Sequence, residues 1–258
     1  MDNETFVAYA SAAEVARKVG VSAATVVRFC QALGYKGYPH LQAAIRQGFP
    51  HAVATFRRIE ERLASPIPKD DVLARVFAAD IENIKRTMEY ISPETFESAV
   101  AEIVQASDVL VAGDGASATP ALFLGHSLKM MGFRAQVATA GGTSLPLELS
   151  ALGPGDLLIA ISFRRYLRPT VEAVSRAREA GAKVIAITDS ELSPLAQTAD
   201  HVFLVVTEGV AHSASLVAPL SLINAFIAAL AFRRPQQTLS ALRNVDAAYK
   251  DSQILLED

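Results

Sequence analysis

Apolar positions follow a helical period over the first hundred residues and then switch to short unbroken runs. From Ser11 to Gly34 they recur every three or four positions. Ser11, with Glu14 three residues on, has the form of a capping box, and Val15, Ala16 and Val19 make one face of a first helix. Gly20 ends that helix where positive φ is wanted. Ser22 caps a second helix with an inner face of Val26, Phe29, Cys30 and Leu33, closed by Gly34. A third helical stretch covers 39–63. The proline-containing break Ser65–Asp70 then marks a boundary. Beyond it, Val72, Val76, Ile84 and Met88, widened by Phe77 and Ile81, form the stripe of another helix. Ser92 and Pro93 open the next as cap and first residue, and it ends near Ala106.

After Ser107 come five apolar runs: "DVLVAG", "AQVATA", "DLLIAI", "AKVIAIT" and "HVFLVV". Helical stretches at 117–131, 144–151, 168–180 and 193–198 separate them. Short, continuously apolar strands alternating with helices predict a parallel sheet covered on both faces. The predicted fold class is α/β: a small all-α helix-turn-helix domain, then a doubly wound five-stranded parallel sheet of order 2-1-3-4-5. The domains are placed at 1–64, at 65–106 (linker and leading helices) and at 107–258. Two further helices are expected at 213–232 and 235–253. The first of these is almost wholly apolar, so both its faces should be covered, one by a second subunit.

Charge changes the picture. Between residues 11 and 58 seven basic residues face one acid, Glu14, a local charge of +6 on a 258-residue chain of net −3, so the remainder carries −9. A basic block on an acidic body is expected where one part alone meets a polyanion; a merely solvated helical surface is the plain alternative. No apolar run reaches membrane-spanning length, and the acidic start "MDNETFVAYA" is unlike a secretory signal. A single cysteine, Cys30, fits a reducing cytoplasm. With no metal-ligand spacing among Cys, His and carboxylates, neither metal nor cofactor is expected.

Two short helices joined by a glycine-containing turn make a helix-turn-helix, against the plainer reading of a helical hairpin. In the reader helix, Ala23, Ala24, Thr25 and Arg28 face outward near its start, where base edges are reached. Arg28 suits guanine, and Thr25 or the alanines suit a thymine methyl. Ser22 and Lys36 are candidate phosphate contacts, which position without specifying. Such a pair cannot bury its apolar faces alone. Either the stretch 39–63 covers them, or the N-terminal domain is incomplete and more chain belongs ahead of Ser11.

Ligands in doubly wound sheets bind outside the carboxyl ends of the strands. Those ends carry Gly113-Asp-Gly-Ala-Ser117, Ala140-Gly-Gly-Thr-Ser144, Ser162-Phe-Arg-Arg-Tyr166, Thr188-Asp-Ser190, and Thr207-Glu208 running on to His212-Ser213. The first is not a dinucleotide fingerprint, since Ala118 takes the third glycine position. Glycines and small hydroxyls at a helix start suit a phosphate monoester better, although capping alone accounts for some of the serines. The candidate ligand contacts are Gly113, Gly115, Ser117, Ser162, Arg164, Arg165, Thr170, Glu208, His212 and Ser213.

"SAAEVARKVGVSAATVVRFCQALGYKGY" resembles the helix-turn-helix of RpiR-type transcriptional regulators. "VLVAGDGASA", "ALGPGDLLIAIS" and "EAGAKVIAITDSELSPLAQTADHVFLV" resemble the sugar isomerase (SIS) domain that these regulators carry. The resemblance implies a homodimer or homotetramer that binds a palindromic operator and senses a phosphorylated sugar or related anion. It also implies a further N-terminal helix and, after the third strand, a phosphate loop of the form Ser-x-Ser-Gly-x-Thr. Here Ser162 keeps the first serine, while Arg164, Arg165 and Leu167 stand at the second serine, the glycine and the threonine. Arginine still suits phosphate or carboxylate; an intramolecular or intersubunit salt bridge is the plain alternative.

Aldose–ketose isomerisation would need a base beside the carbonyl and a group to open the ring. Glu208 and His212 are the candidates, with Glu148 a weaker one. The attached reader domain makes catalysis unnecessary, so a sensor is expected rather than an enzyme. A purely structural dimerisation module would leave the polar strand ends unexplained.

Overall fold

The computed structural model describes residues 7, 10–48, 60, 71–139 and 144–252. The chain divides into two compact units, 1–67 and 68–258. The helices at 72–105, read from sequence as a lead-in, therefore belong to the second unit. The expected break Ser65–Asp70, residues 140–143 and all but Glu60 of the stretch 49–63 lie outside the described residues.

In the first unit α1 (Ala12–Val19) and α2 (Ala23–Ala32) follow the caps read from sequence, and α3 (Tyr38–Gly48) comes after them. The Ser11 hydroxyl accepts from the Glu14 N–H at 3.2 Å, and the Glu14 carboxylate accepts from the Ser11 N–H at 2.6 Å. Gly20 takes φ 71, and the next residue, Val21, donates its N–H to the Ala16 carbonyl, the wrap that left-handed caps allow. Val15, Ala16, Val26, Cys30 and Tyr38 form the core. The Tyr38 hydroxyl, donating to Val7 O and Ala10 O at 2.9 Å, ties α3 to the segment ahead of α1, and the Gln42 amide reaches the same carbonyls. The expected inner face was too wide: Val19, Phe29 and Leu33 are exposed, because burial follows the narrow i, i+4 pair Val26 and Cys30.

In the second unit, α4 (Val72–Tyr90) and α5 (Pro93–Gln105) precede β1 (Val109–Ala112), α6 (Ala118–Met130), β2 (Ala135–Ala138), α7 (Ser144–Ser150), β3 (Leu157–Ser162), α8 (Arg168–Glu179), β4 (Lys183–Thr188) and β5 (His201–Leu204). α9 (Val217–Arg233) and α10 (Pro235–Asp251) follow. The sheet is all parallel in the order β2-β1-β3-β4-β5. Alternation along β3 sends Leu157, Ile159 and Ile161 to a face covered by α5, α6 and α9; Leu158 and Ala160 go to the face under α7 and α8. Phe226 of α9 stacks on Phe96 and meets Phe203 edge-on. The stretch 193–198, expected as helix, is a series of turns in which the Ser193 hydroxyl accepts from the Ala196 N–H.

Of the apolar stripe read on α4 only Ile84 is partly buried. Val72, Val76, Phe77, Ile81 and Met88 are exposed, Phe77 and Met88 by 63% and 69%, and its buried residues are Asn83 and Thr87. That inner face serves the irregular segment 205–216. Asn83 donates to the Glu208 carbonyl at 2.8 Å, Thr87 accepts from the Val206 N–H at 2.9 Å, and Asp80 accepts from the Ser215 hydroxyl. Irregular backbone presents polar groups that must find partners, and a polar helix face supplies them.

Candidate functional site

The reader face is exposed where the sequence placed it: Ser22, Ala23, Thr25, Arg28 and Lys36 all face solvent. Ser22 is the cap of α2, its hydroxyl accepting from the Thr25 N–H at 3.1 Å and lying 2.8 Å from the Thr25 hydroxyl. Thr25 therefore presents its methyl more readily than its oxygen.

At the carboxyl pole of the sheet, β1 ends in Gly113, where a side chain is impossible: a Cβ would sit 2.7 Å from the Ser117 carbonyl and 3.2 Å from that of Ile161. Gly115 turns at φ 60 into a short 3-10 turn before α6. Ser117 is buried, and its hydroxyl accepts a long 3.4 Å bond from the Phe163 N–H, joining the β1 and β3 loops. Ser162 is buried too. Thr170 corrects an expectation: it is fully buried and donates to Asp114 at 2.9 Å, so it braces the β1 loop from beneath instead of facing a ligand.

The loop after β3 is held by one carboxylate. Asp189, at the end of β4 and with its side chain only 8% exposed, accepts the Arg164 N–H at 3.1 Å and the Tyr166 hydroxyl at 2.7 Å. Burial, reinforced by the facing Asp189 charge, pushes the Tyr166 phenol well above its ordinary range, so it remains a donor. The Arg164 guanidinium lies 3.8 Å from Asp189 and 3.9 Å from Glu208. Arg164 and Glu208 are each about half exposed, so the pair is worth under ~1 kcal/mol. Between the two residues that Asp189 grips, Arg165 turns at φ 74 and is the one described residue other than glycine with positive φ. Such a conformation costs an L-residue roughly 1–2 kcal/mol.

Glu208, His212 and Ser213 belong to the segment 205–216, which is not the start of a helix; α9 begins only at Val217. His212 and Ser213 are exposed there. Gly209 permits the tight fold of this segment, since a Cβ would collide with the Ser213 carbonyl. Glu148 lies on α7 against Gln136 of edge strand β2. Asp114 and Asp189 had no role from spacing alone; the signal was an acid directly at each strand end.

A profile of the helix-turn-helix domain of the rpiR family matches residues 2–51, and one of the SIS domain matches 102–229. The crystal structure of the sugar isomerase domain of an RpiR transcription factor from Sphaerobacter thermophilus is 44% identical, covering 69% of this chain and 99% of that one, with a TM-score of 0.67. The chain belongs to the RpiR family of transcriptional regulators. Among other family relatives, the HTH-type transcriptional regulator HexR of Pseudomonas aeruginosa is 30% identical over 72% of this chain and 64% of its own length. The fold of the whole RpiR chain recurs in the NanR protein of Vibrio vulnificus complexed with ManNAc-6P, at 21% identity, covering 98% of this chain and 90% of that one, with a TM-score of 0.67. In this chain the loop after β3 makes its left-handed turn at Arg165. No single described helix is long and apolar enough to cross a membrane.

Proposed function

We propose that the chain binds operator DNA through α2 and that an anionic sugar-like metabolite, bound at the carboxyl pole of the sheet, sets that binding. The observation that carries the reading is the union in one chain of an exposed, capped reader helix bearing Arg28 with a sheet pole where glycine loops, Arg164 and Arg165 gather. The relative complexed with ManNAc-6P supports a phosphorylated sugar or a similar oxyanion as the effector class. A palindromic operator follows if two copies bind together, and the exposed apolar stripe of α4 (Phe77, Ile81, Met88) offers a surface for that association. The isomerase alternative is the less supported reading: Glu208 stands 3.9 Å from the Arg164 guanidinium, and His212 is exposed and shares no helix with it.

Fluorescence anisotropy on the DNA upstream of the protein's own gene tests the reading. Affinity should fall steeply with salt, and Arg28→Ala should cost about 1–3 kcal/mol of discrimination against a scrambled site. Equal affinity for both sequences in the parent would refute it.

A further inference from the structure

We propose that Arg165, and not Arg164, is the side chain that holds the effector's oxyanion, with Arg164 as a positioning residue. The inference rests on the effector-site reading above and names the group that reads the ligand.

The two arginines, both exposed, differ in what engages them and in their backbone. Arg164 is engaged: its N–H donates to Asp189, and its guanidinium stands between Asp189 and Glu208. Its charge is already answered by two carboxylates. Arg165 is exposed, and no ion pair, side-chain hydrogen bond or ring contact engages its guanidinium among the described residues. The Asp189 carboxylate grips the residues on either side of it, through the Arg164 N–H and the Tyr166 hydroxyl. The backbone between them turns at φ 74, a conformation that glycine would adopt freely. The chain instead keeps a β-carbon and a full guanidinium there. Strain held in place by surrounding bonds, at a ligand-binding pole, is a mark of function.

The ligand class follows from the donor. A planar guanidinium fork takes a carboxylate or a phosphate monoester through paired N–H bonds. The α8 N-terminus, which has no side-chain cap, adds the first-turn amides of Arg168 and Thr170 on the same loop, Pro169 having none. The class is thus a small polyol carrying one terminal oxyanion.

Calorimetric titration of the full chain with glucose 6-phosphate, gluconate and neutral glucose tests this, with melting temperatures measured in parallel. The parent should bind at least one anionic probe and not glucose; the phosphate and carboxylate arms tell which oxyanion is read. Arg165→Gly should lose at least tenfold in affinity while melting no lower than the parent, a combination that damage to the fold cannot produce. Arg165→Lys should retain part of the affinity. Arg165→Gly binding as tightly as the parent would overturn the assignment. Failure of the parent to bind either anion would overturn the effector reading itself.

Discussion

Gly20 and Arg165 turn the backbone through nearly the same angle, φ 71 and φ 74, in two loops of opposite character. At Gly20 the residue is the one that backbone sterics favour, the space around it is empty, and the turn joins two capped helices. Propensity, capping and core pattern all agree, as they do in a locally consistent sequence. At Arg165 the same turn is made against propensity and is held by bonds from Asp189 to its neighbours. The first loop follows the local rules of a helix-turn-helix. The second runs against them, and it is where the effector's oxyanion is proposed to bind.

The largest effect should come from removing the clamp that permits the unfavourable turn. Asp189→Ala leaves the Tyr166 hydroxyl and the Arg164 N–H without their acceptor at a nearly buried site. Chemical denaturation should show a loss of about 2–3 kcal/mol, and hydrogen exchange should rise across 163–167. Exchange unchanged there would mean that Asp189 does not hold the loop. Gly20→Ala should cost less, about 1–2 kcal/mol, and purely through φ, because a Cβ there meets nothing within 4 Å. A loss well beyond that range would point to packing that the turn does not display.

The smallest effect concerns the capping box beside Gly20. The Ser11 N–H, then its hydroxyl, hold the Glu14 carboxyl below its ordinary value of 4.5. A lowered carboxyl stabilises the fold fully above that ordinary value, and the contribution fades as pH falls through the lowered one. Amide shifts of Ser11 and Glu14 should therefore titrate below pH 4.5 and stay flat above it; Ser11→Ala, which removes the hydroxyl and keeps the N–H, should bring the midpoint only part of the way back to the ordinary value.

The same contrast explains what could be read from sequence. The strands, their order and the caps at Ser11, Ser22 and Ser92 follow from local rules, since burial on both sheet faces and hydrogen-bonded helix starts leave direct marks. Periodicity gave α4 an apolar stripe but not the side on which it packs. Its polar residues turned inward because segment 205–216 needed partners for Val206, Glu208 and Ser215. Phe29 and Leu33 continued an apolar pattern past the width of the core they were assigned to. At the pole, glycines and arginines were visible in sequence, whereas the Asp189 grip and the Thr170–Asp114 bond join residues 23 or more positions apart. Spacing along a chain carries no trace of such pairs.

One titration bears most directly on the claim that α2 reads DNA while Arg165 at the pole reads the effector. Parent and Arg165→Gly proteins are titrated onto the DNA upstream of their own gene, with and without the anionic sugar that binds the parent. The account predicts equal affinity and an equal salt slope for the two proteins without the sugar, and a shift on adding it in the parent alone. The same shift in both would contradict it.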